Sequence, residues 1–365
     1  SQDKKVTPVP FPFSAFVGQD EMKLAILMSA ICPQLGGVLV FGDRGTGKST
    51  AVRALAALLP KIETRTGCRF NCTPDKPVDI CPVCSGATPP RKLKVQTPVV
   101  DLPLGATEDR DCGALDLERA LVSGEKAYEP GLLANAHRGF LYIDEINLLE
   151  DHIVDLLLDV AASGVNVVER EGLSIRHPSK FVLVGSGNPE EGELRPQLLD
   201  RFGLSVDVTA PADVKERVSV VRRREAYEDD PEGFIAKWKS QDGKIRKQIE
   251  RGKKLLADME ASDQVLETGA RICMRLGVDG LRGELTLARA AKAYAALAGR
   301  SEVTLSDLIE VAPMALRHRL RRDPLDEAGS TTRVERALHD FDPLPSNGSS
   351  SVNSLGNCTS PHGPI

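Results

Sequence analysis

No run of about 18 consecutive apolar residues occurs in the 365 residues, so the sequence predicts no membrane-spanning helix. The first apolar run, residues 24–32, follows Asp20 and Glu21 rather than a basic segment, which is typical of a helix of the mature protein and not of a signal peptide. Charge of one sign is not in large excess either, since 47 basic and 52 acidic residues leave a net charge of −5. This balance argues against a protein whose whole surface follows the phosphate backbone of a nucleic acid.

Cysteine makes up 8 of the 365 residues. Eight cysteines, four of them between residues 68 and 84, do not make the disulfide framework of a small secreted protein. We therefore expect a reducing compartment: the cytoplasm, or the plastid stroma if the chain comes from a plant or an alga. No aromatic residues lie among the basic runs at 222–224 and 317–322, so base stacking gives no reason to expect a nucleic-acid partner.

Short apolar runs alternate with amphipathic segments between residues 16 and 210. This alternation predicts an α/β fold in which helices flank a mostly parallel sheet. The predicted strands comprise residues 38–41, 99–102, 140–143 and 181–184. Two stretches interrupt the alternation: residues 61–98, interpreted as a cysteine-containing insertion or long loop, and residues 165–177, interpreted as a protruding β-hairpin.

The two ends of the chain differ from this central region. Prolines at positions 8, 10 and 12 predict an extended arm over residues 1–15. Long charged segments with a period of 3.6 residues predict an all-helical second domain over residues 211–342. The predicted helices comprise residues 212–228, 232–258, 262–276, 283–298 and 304–320. Residues 343–365 are mostly Pro, Ser, Asn and Gly, which predicts a disordered tail.

A glycine-rich motif of the form G-x-x-x-x-G-K-S follows the first predicted strand and opens an amphipathic segment, which is the context of a phosphate-binding loop. In such a loop backbone N–H groups surround the phosphates of ATP, a lysine reaches the β- and γ-phosphates, and a hydroxyl binds Mg²⁺. We expect Lys48 and Ser49 to fill the last two roles. The candidate loop comprises Gly42, Asp43, Arg44, Gly45, Thr46, Gly47, Lys48, Ser49 and Thr50.

Two further strand ends carry groups suited to ATP hydrolysis. The apolar run 140–143 ends in Asp144, expected to hold the Mg²⁺ shell, and Glu145, expected to polarise the attacking water. The strand that begins near residue 181 ends at Asn188, whose neutral amide is expected to orient that water, with an ordinary turn asparagine as the alternative.

Three arginines are candidates for contacting the γ-phosphate. Arg201 lies at the end of a short predicted helix, from which it reaches a neighbouring chain's nucleotide more easily than its own, and Arg195 is a second candidate for this role in trans. A surface ion pair between Arg201 and Asp200 is the alternative. Arg282 begins a helix of the second domain and is expected to contact the γ-phosphate if that domain folds back over the loop.

Together these motifs resemble an AAA+ ATPase: a P-loop core with a parallel sheet, followed by a helical lid. Longer runs resemble the ATPase subunit I family of magnesium chelatase over about residues 11–340, and the run 320–330 is similar to its bacteriochlorophyll-type branch. The runs that carry the resemblance are residues 11–19, 100–110, 129–134, 185–203 and 317–325.

This resemblance implies a ring-forming motor, expected to be a hexamer, that uses ATP and Mg²⁺. It implies the activity of a ligase that forms nitrogen–metal bonds: insertion of Mg²⁺ into protoporphyrin IX in bacteriochlorophyll or chlorophyll synthesis. The implied partners are further copies of the chain, the magnesium chelatase D subunit and the large porphyrin-binding H subunit.

The four clustered cysteines are not part of the motifs of that family. Their spacing, Cys68-x₃-Cys72-x₈-Cys81-x₂-Cys84, includes one C-P-x-C pair of the kind that binds Zn²⁺. A tetrahedral zinc site, a reversible disulfide switch and free thiols in an insertion all remain open.

Two other functions share the same phosphate-binding residues. One is a MoxR-like AAA+ chaperone that remodels a client protein. The other is a DNA-remodelling AAA+ protein, which needs a basic pore loop. The hairpin at 165–177 weakens the second, because Glu169 and Glu171 offset Arg170 and Arg176.

Overall fold

The computed structural model describes residues 10–42, 45–86, 88–104, 113–115, 128–170, 173–188, 192, 194–278, 280–320 and 329–339. The predicted tail and most of the predicted N-terminal arm lie outside these residues. The strands are β1 (Val38–Gly42), β2 (Ile62–Arg65), β3 (Lys92–Val95), β4 (Val99–Leu102), β5 (Gly113–Leu115), β6 (Tyr128–Pro130), β7 (Phe140–Ile143), β8 (Val165–Arg170), β9 (Leu173–Pro178), β10 (Val182–Gly187) and β11 (Leu204–Val208). The helices are α1 (Asp20–Ile31), α2 (Lys48–Leu58), α3 (Leu132–Ala136), α4 (Asp151–Ser163), α5 (Pro196–Leu199), α6 (Val214–Asp229), α7 (Pro231–Ala257), α8 (Asp263–Leu276), α9 (Arg282–Leu297), α10 (Leu305–Leu316) and α11 (Ser330–Leu338).

The chain divides into two compact units. The first comprises the described residues up to 11 and those of 33–204, and the second comprises residues 12–32 and the described residues from 205 onward. The predicted division at residue 210 did not anticipate that the second unit takes in α1. Helix α1 belongs there because it packs on α7 and α9, with Ile26 and Met28 fully buried.

The main sheet has the strand order β11-β1-β10-β7-β4, and the pairs β1–β10, β10–β7 and β7–β4 are parallel. Its inner strands β1, β7 and β10 are almost entirely apolar and buried, as strands covered on both faces must be. Strand β11 begins at Leu204, whose N–H donates to the carbonyl of Gly37. The four predicted strands and the α/β class are confirmed.

Helix α4 covers the sheet through one apolar stripe. Ile153, Val154 and Leu157 recur at the spacing of one helix face and are buried in the same core as Leu141 and Leu183 of the sheet. The opposite face of α4 carries acidic residues at a spacing of four, which leaves a charged stripe on the outside of this unit.

The stretch at 61–98 contains regular structure that the sequence pattern did not predict. Strands β2 and β3 pair antiparallel, from Ile62 opposite Val95 to Arg65 opposite Lys92, and the cysteines lie in the connection between them. Strands β8 and β9 also pair antiparallel, from Val165 opposite Pro178 to Arg170 opposite Leu173.

The second unit is helical, and the helices predicted from the 3.6-residue period are confirmed in α6 to α10. Local signals explain their starts: Ser262 caps α8, and Thr304 with Asp307 forms a capping box at α10. Arg317 is buried and pairs with Glu21 and Asp207. Across the described residues, no helix combines the length and apolar character that crossing a membrane requires.

The end of the predicted extended arm has a different structure. Residues Phe13–Ala15 form a 3-10 helix, and Phe13 is only 2% exposed. Ser14 donates to a carboxylate oxygen of Asp242 from both its N–H (2.9 Å) and its hydroxyl (2.6 Å). Burial of the Phe13 ring and these two hydrogen bonds hold the segment in place. The prolines, on which the prediction of an extended arm was based, carry no information about either effect.

Candidate functional site

The glycine-rich loop joins the end of β1 to the start of α2. Gly45 and Gly47 have φ angles of 78° and 82°, a left-handed conformation that side chains other than glycine adopt at a cost. Gly47 is the N-cap of α2 and has no side chain to cap the first N–H groups of that helix. The Lys48 ammonium donates to the carbonyl of Gly42, so its charge lies over the loop. These features fit an anion such as a triphosphate.

Of the nine candidate loop residues, seven lie in the described part of the chain. Gly42, Gly45, Thr46 and Gly47 form the turn, and the first three residues of α2 follow it. Asp43 and Arg44 lie outside the described residues.

Asp144 and Glu145 follow β7 directly. The hydroxyl of Ser186 donates to Asp144 Oδ1 at 2.5 Å, and the Tyr142 hydroxyl donates to the same oxygen at 3.3 Å. Burial raises the pKa of Tyr142 to about 12, so this group remains a donor at neutral pH. The carboxylate of Asp144 is exposed and held in one orientation, which suits a ligand of the Mg²⁺ that accompanies ATP.

Glu145 adopts an uncommon backbone conformation. Its φ and ψ are 55° and 51°, in the left-handed region that a residue with a long side chain seldom occupies. Its N–H donates to the Ser186 hydroxyl at 3.4 Å. One serine therefore links both acidic residues at the end of β7.

The sheet register brings three strand ends together. Phe41 lies opposite Gly187 on β10, and Ile143 lies opposite Gly185, so Gly42, Asp144 and Asn188 follow at the same edge. Ligands of open parallel sheets bind at this carboxyl edge. Asn188 is half-buried there and takes part in interactions within the chain.

Asn147 is a polar residue of this edge that sequence reasoning missed. Both polar atoms of its side chain are buried and have no hydrogen-bond partner among the residues that the structure describes. Its Oδ1 lies 3.1 Å from the position that a Cβ on Gly187 would take, next to Asn188. An unpaired buried amide at this position fits a site that a bound polar group completes.

The candidate arginines of the first unit contact the acidic stripe of α4. Arg201 pairs with Asp155 and Asp159, and Arg195 Nε lies 2.5 Å from Asp151 Oδ2. The side chain of Arg201 is 22% exposed, whereas that of Arg195 is 73% exposed. Asp200 was the only partner predicted for Arg201, although a spacing of four between the α4 acids could have identified this stripe.

Arg282 is the first residue of α9, in the second unit. It takes part in an interaction within the chain and lies at the predicted position, the start of a helix.

The four cysteines meet in the first unit. The Sγ atoms of Cys68, Cys72, Cys81 and Cys84 all lie within 4.8 Å of one another, and these thiols are not joined in disulfides. A hydrogen bond from the Cys72 thiol lowers the pKa of Cys68 to about 4, and the same bond raises the pKa of Cys72. The cluster is therefore a candidate metal centre of its own.

Comparisons with known proteins match nearly the whole chain. The family model "Magnesium chelatase, subunit ChlI" matches residues 116–197, and the model "AAA lid domain" matches residues 266–338. The magnesium-chelatase 38 kDa subunit of Acidiphilium rubrum is 62% identical over 331 residues, covering 90% of this chain and 96% of the relative. That of Cereibacter sphaeroides is 64% identical over 329 residues, covering 90% and 98%. The ChlI subunit of Olisthodiscus luteus is 50% identical over 341 residues, covering 93% and 99%.

Two solved structures are also similar. A chain from a complex between the BchI and BchD subunits of magnesium chelatase is 59% identical, with a TM-score of 0.53, and the match covers 90% of this chain and 99% of that one. An ATPase from Cytophaga hutchinsonii is 16% identical, with a TM-score of 0.60 over 89% and 90% of the two chains, and shares the fold. The fold expected from the sequence, a P-loop core with a helical lid, is confirmed.

Proposed function

Because the chain belongs to the family of magnesium-chelatase ATPase subunits, we propose that it hydrolyses ATP to drive insertion of Mg²⁺ into protoporphyrin IX, on the route to bacteriochlorophyll. The observation that carries the proposal is the meeting of Gly42, Asp144 and Asn188 at one sheet edge, beside the loop that ends in Lys48. The MoxR-like alternative is not favoured, because relatives 62% and 64% identical over 90% of the chain are chelatase subunits.

Each residue at this edge has its own role in ATP hydrolysis. Lys48 and the uncapped N–H groups of α2 hold the phosphates, and Ser49 and Asp144 supply oxygen ligands to the accompanying Mg²⁺, which neutralises charge on the phosphates. Glu145 polarises the attacking water, and the amide of Asn188 orients it. The cysteine cluster takes no part, because thiolates suit softer metals than Mg²⁺.

We propose that a neighbouring copy of the chain supplies a further positive charge to the nucleotide. Arg201, with Arg195 as the second candidate, would reach the nucleotide of a neighbouring copy in a hexameric ring, and Arg282 would respond to the γ-phosphate from the lid. The arginines lie on the outer, charged side of α4, which supports a role toward a neighbour. Since the similar solved chain comes from a complex with a D-type subunit, we propose D as a partner, with H as the porphyrin-binding subunit. The reducing compartment expected from the cysteines stays a prediction.

The test is a chelation assay with purified D and H subunits, in which this chain is omitted and then restored. We expect Mg²⁺ insertion into protoporphyrin IX only with the chain present. Lys48→Ala should lose nucleotide binding, and Glu145→Gln should keep binding but lose turnover. Lys61→Ala, at an exposed lysine away from the loop, is the matched control and should behave as wild type. Insertion that proceeds equally without the chain, or with Glu145→Gln, would contradict the proposal.

A further inference from the structure

The connection between β2 and β3 packs around a small core, to which Ala134 of α3 also contributes. That core consists of Phe70, Cys72, Val78, Cys81, Cys84 and Ala134. Thiols therefore occupy positions that large apolar side chains usually fill. A connection of about 26 residues with so little apolar burial seldom holds one conformation without a staple.

The spacing of the sulfurs matches a metal and not a disulfide. Cys68 Sγ and Cys81 Sγ are 3.8 Å apart, and all four sulfurs lie within 4.8 Å of one another. A disulfide requires about 2.05 Å between two sulfurs. Four sulfurs at about 2.3 Å from a tetrahedral Zn²⁺ lie about 3.8 Å from each other, as simple geometry requires.

The groups next to the four sulfurs are of the kind that surrounds metal-bound thiolates in proteins. The N–H of Cys72 donates to the sulfur of Cys68 at 3.4 Å, and the N–H of Val78 donates to the sulfur of Cys72 at 3.4 Å. The guanidinium of Arg138 donates to the carbonyls of Asn71 and Cys72, at 3.2 Å and 3.5 Å, which brings a positive charge beside the cluster. N–H bonds and a cation both offset the negative charge of a four-thiolate site.

We propose that Cys68, Cys72, Cys81 and Cys84 bind one structural Zn²⁺. Four sulfur ligands close the coordination shell and leave no open position for a substrate, so the ion stabilises the fold and takes no part in chemistry. The thiols release their protons to solvent as the ion binds. This site is separate from the Mg²⁺ that accompanies ATP.

The zinc-bound segment would buttress the strand that carries the acidic pair. Asn71 donates to the carbonyls of Asn135 and His137, at 2.7 Å and 3.3 Å, just before β7 begins. Asp144 follows the other end of this four-residue strand, about 13 Å away at 3.3 Å per residue. Zinc removal should therefore loosen the start of β7 without removing a ligand of the nucleotide.

The first test measures metal in the full chain, purified without added zinc or chelator. Elemental analysis should give about one zinc per chain, released by a mercurial thiol reagent, and X-ray absorption should show four sulfur neighbours at about 2.3 Å. Folded protein with less than about 0.1 zinc per chain that takes up neither Zn²⁺ nor Co²⁺ would overturn the proposal. Iron in place of zinc, or a disulfide between two of the four cysteines, would also overturn it.

The second test compares two cysteine variants. The double variant Cys81→Ser, Cys84→Ser should lose zinc at least about tenfold. Cys273→Ser, which changes a buried thiol of α8 outside the cluster, should keep it. Equal zinc content in both variants would mean that the ion binds elsewhere. Neither result depends on ATP hydrolysis, so this proposal and the chelatase function fail independently.

Discussion

Replacement of Ser186 by alanine tests whether the hydroxyl that links the two acidic residues positions them for Mg²⁺. Ser186 is 2% exposed and lies on β10, opposite the end of β7. Its hydroxyl donates to Asp144 at 2.5 Å and accepts from the N–H of Glu145 at 3.4 Å. Ser186→Ala therefore leaves the Asp144 carboxylate with the longer bond from Tyr142, at 3.3 Å, and removes the bond between the Glu145 N–H and the Ser186 hydroxyl.

The expected loss follows from the type of bond. A hydrogen bond to a charged group contributes about 1.5–3 kcal/mol, which corresponds to a factor of about 10–150 in an equilibrium. Groups that orient a metal ligand typically contribute 10- to 100-fold, or about 1.4–2.7 kcal/mol, to metal affinity. We therefore expect the Mg²⁺ concentration for half-maximal ATPase activity to rise about 10- to 100-fold.

The assay is ATPase rate against free Mg²⁺, with nucleotide binding in Mg²⁺-free buffer measured in parallel. Binding without Mg²⁺ should be unchanged, because the Ser186 hydroxyl bonds to the acidic pair, which is expected to act through Mg²⁺. The matched control is Ser179→Ala, which removes another buried hydroxyl bond, 2.7 Å to the carbonyl of Leu133, away from the acidic pair. The same Mg²⁺ dependence in both variants, or a value for Ser186→Ala within about twofold of wild type, would show that Ser186 does not position the acidic pair.

Two further predictions concern the chain interface and the pH dependence of stability. An Arg201→Ala chain mixed with a Lys48→Ala chain should recover ATPase activity that each lacks alone, because an arginine in trans contributes about 10³-fold or more in rate. An inactive mixture of variants that still assemble with wild type would contradict the arrangement in trans. Burial lowers the pKa of His137 from 6.5 to about 4, and its Nδ1 accepts from the N–H of Lys180 at 3.0 Å. The neutral ring thus stabilises the fold above pH 6.5, and up to about 3 kcal/mol is lost as the pH falls to 4. In denaturant unfolding, the free energy of unfolding of His137→Gln should not show this loss at low pH, whereas that of the control His152→Gln, at an exposed histidine, should still show it. The same pH dependence of stability in both variants would show that His137 does not titrate as described.

Sequence patterns predicted the parts of the site that are contiguous in the chain. The loop that ends in Lys48, the pair at 144–145 and the strand that ends at Asn188 each carry their own local signal. The strands themselves were predicted because the sequence of a buried parallel strand is a nearly continuous apolar run.

The missed residues depend on the pairing of distant segments. Ser186 reaches Asp144 only because β10 lies beside β7 in a particular register, and that register is a property of the folded sheet. Its position two residues before Asn188, which follows the strand, is the signal that could have identified it, since residues two apart in an extended chain point to the same side. Asn147 gave no signal, since it follows the acidic pair in an irregular turn.

The insertion shows the same limit in a different form. Its strands β2 and β3 are four residues each and carry charged side chains. Charged and apolar residues alternate in β3, but four residues is the shortest run in which alternation indicates a strand. The pairing of these strands holds the ends of a connection whose interior rests on four sulfurs, and periodicity does not describe such a core.

The left-handed backbone at Glu145 sets a limit on engineering this chain for heat tolerance. A glycine or an asparagine adopts φ of 55° with less strain, and the difference is about 1 kcal/mol in favour of the replacement. Screening for thermostability alone would select such a replacement and, given the role proposed for Glu145, would produce a more stable protein that no longer hydrolyses ATP. This trade-off makes retained turnover, and not melting temperature, the criterion for choosing a stabilised form.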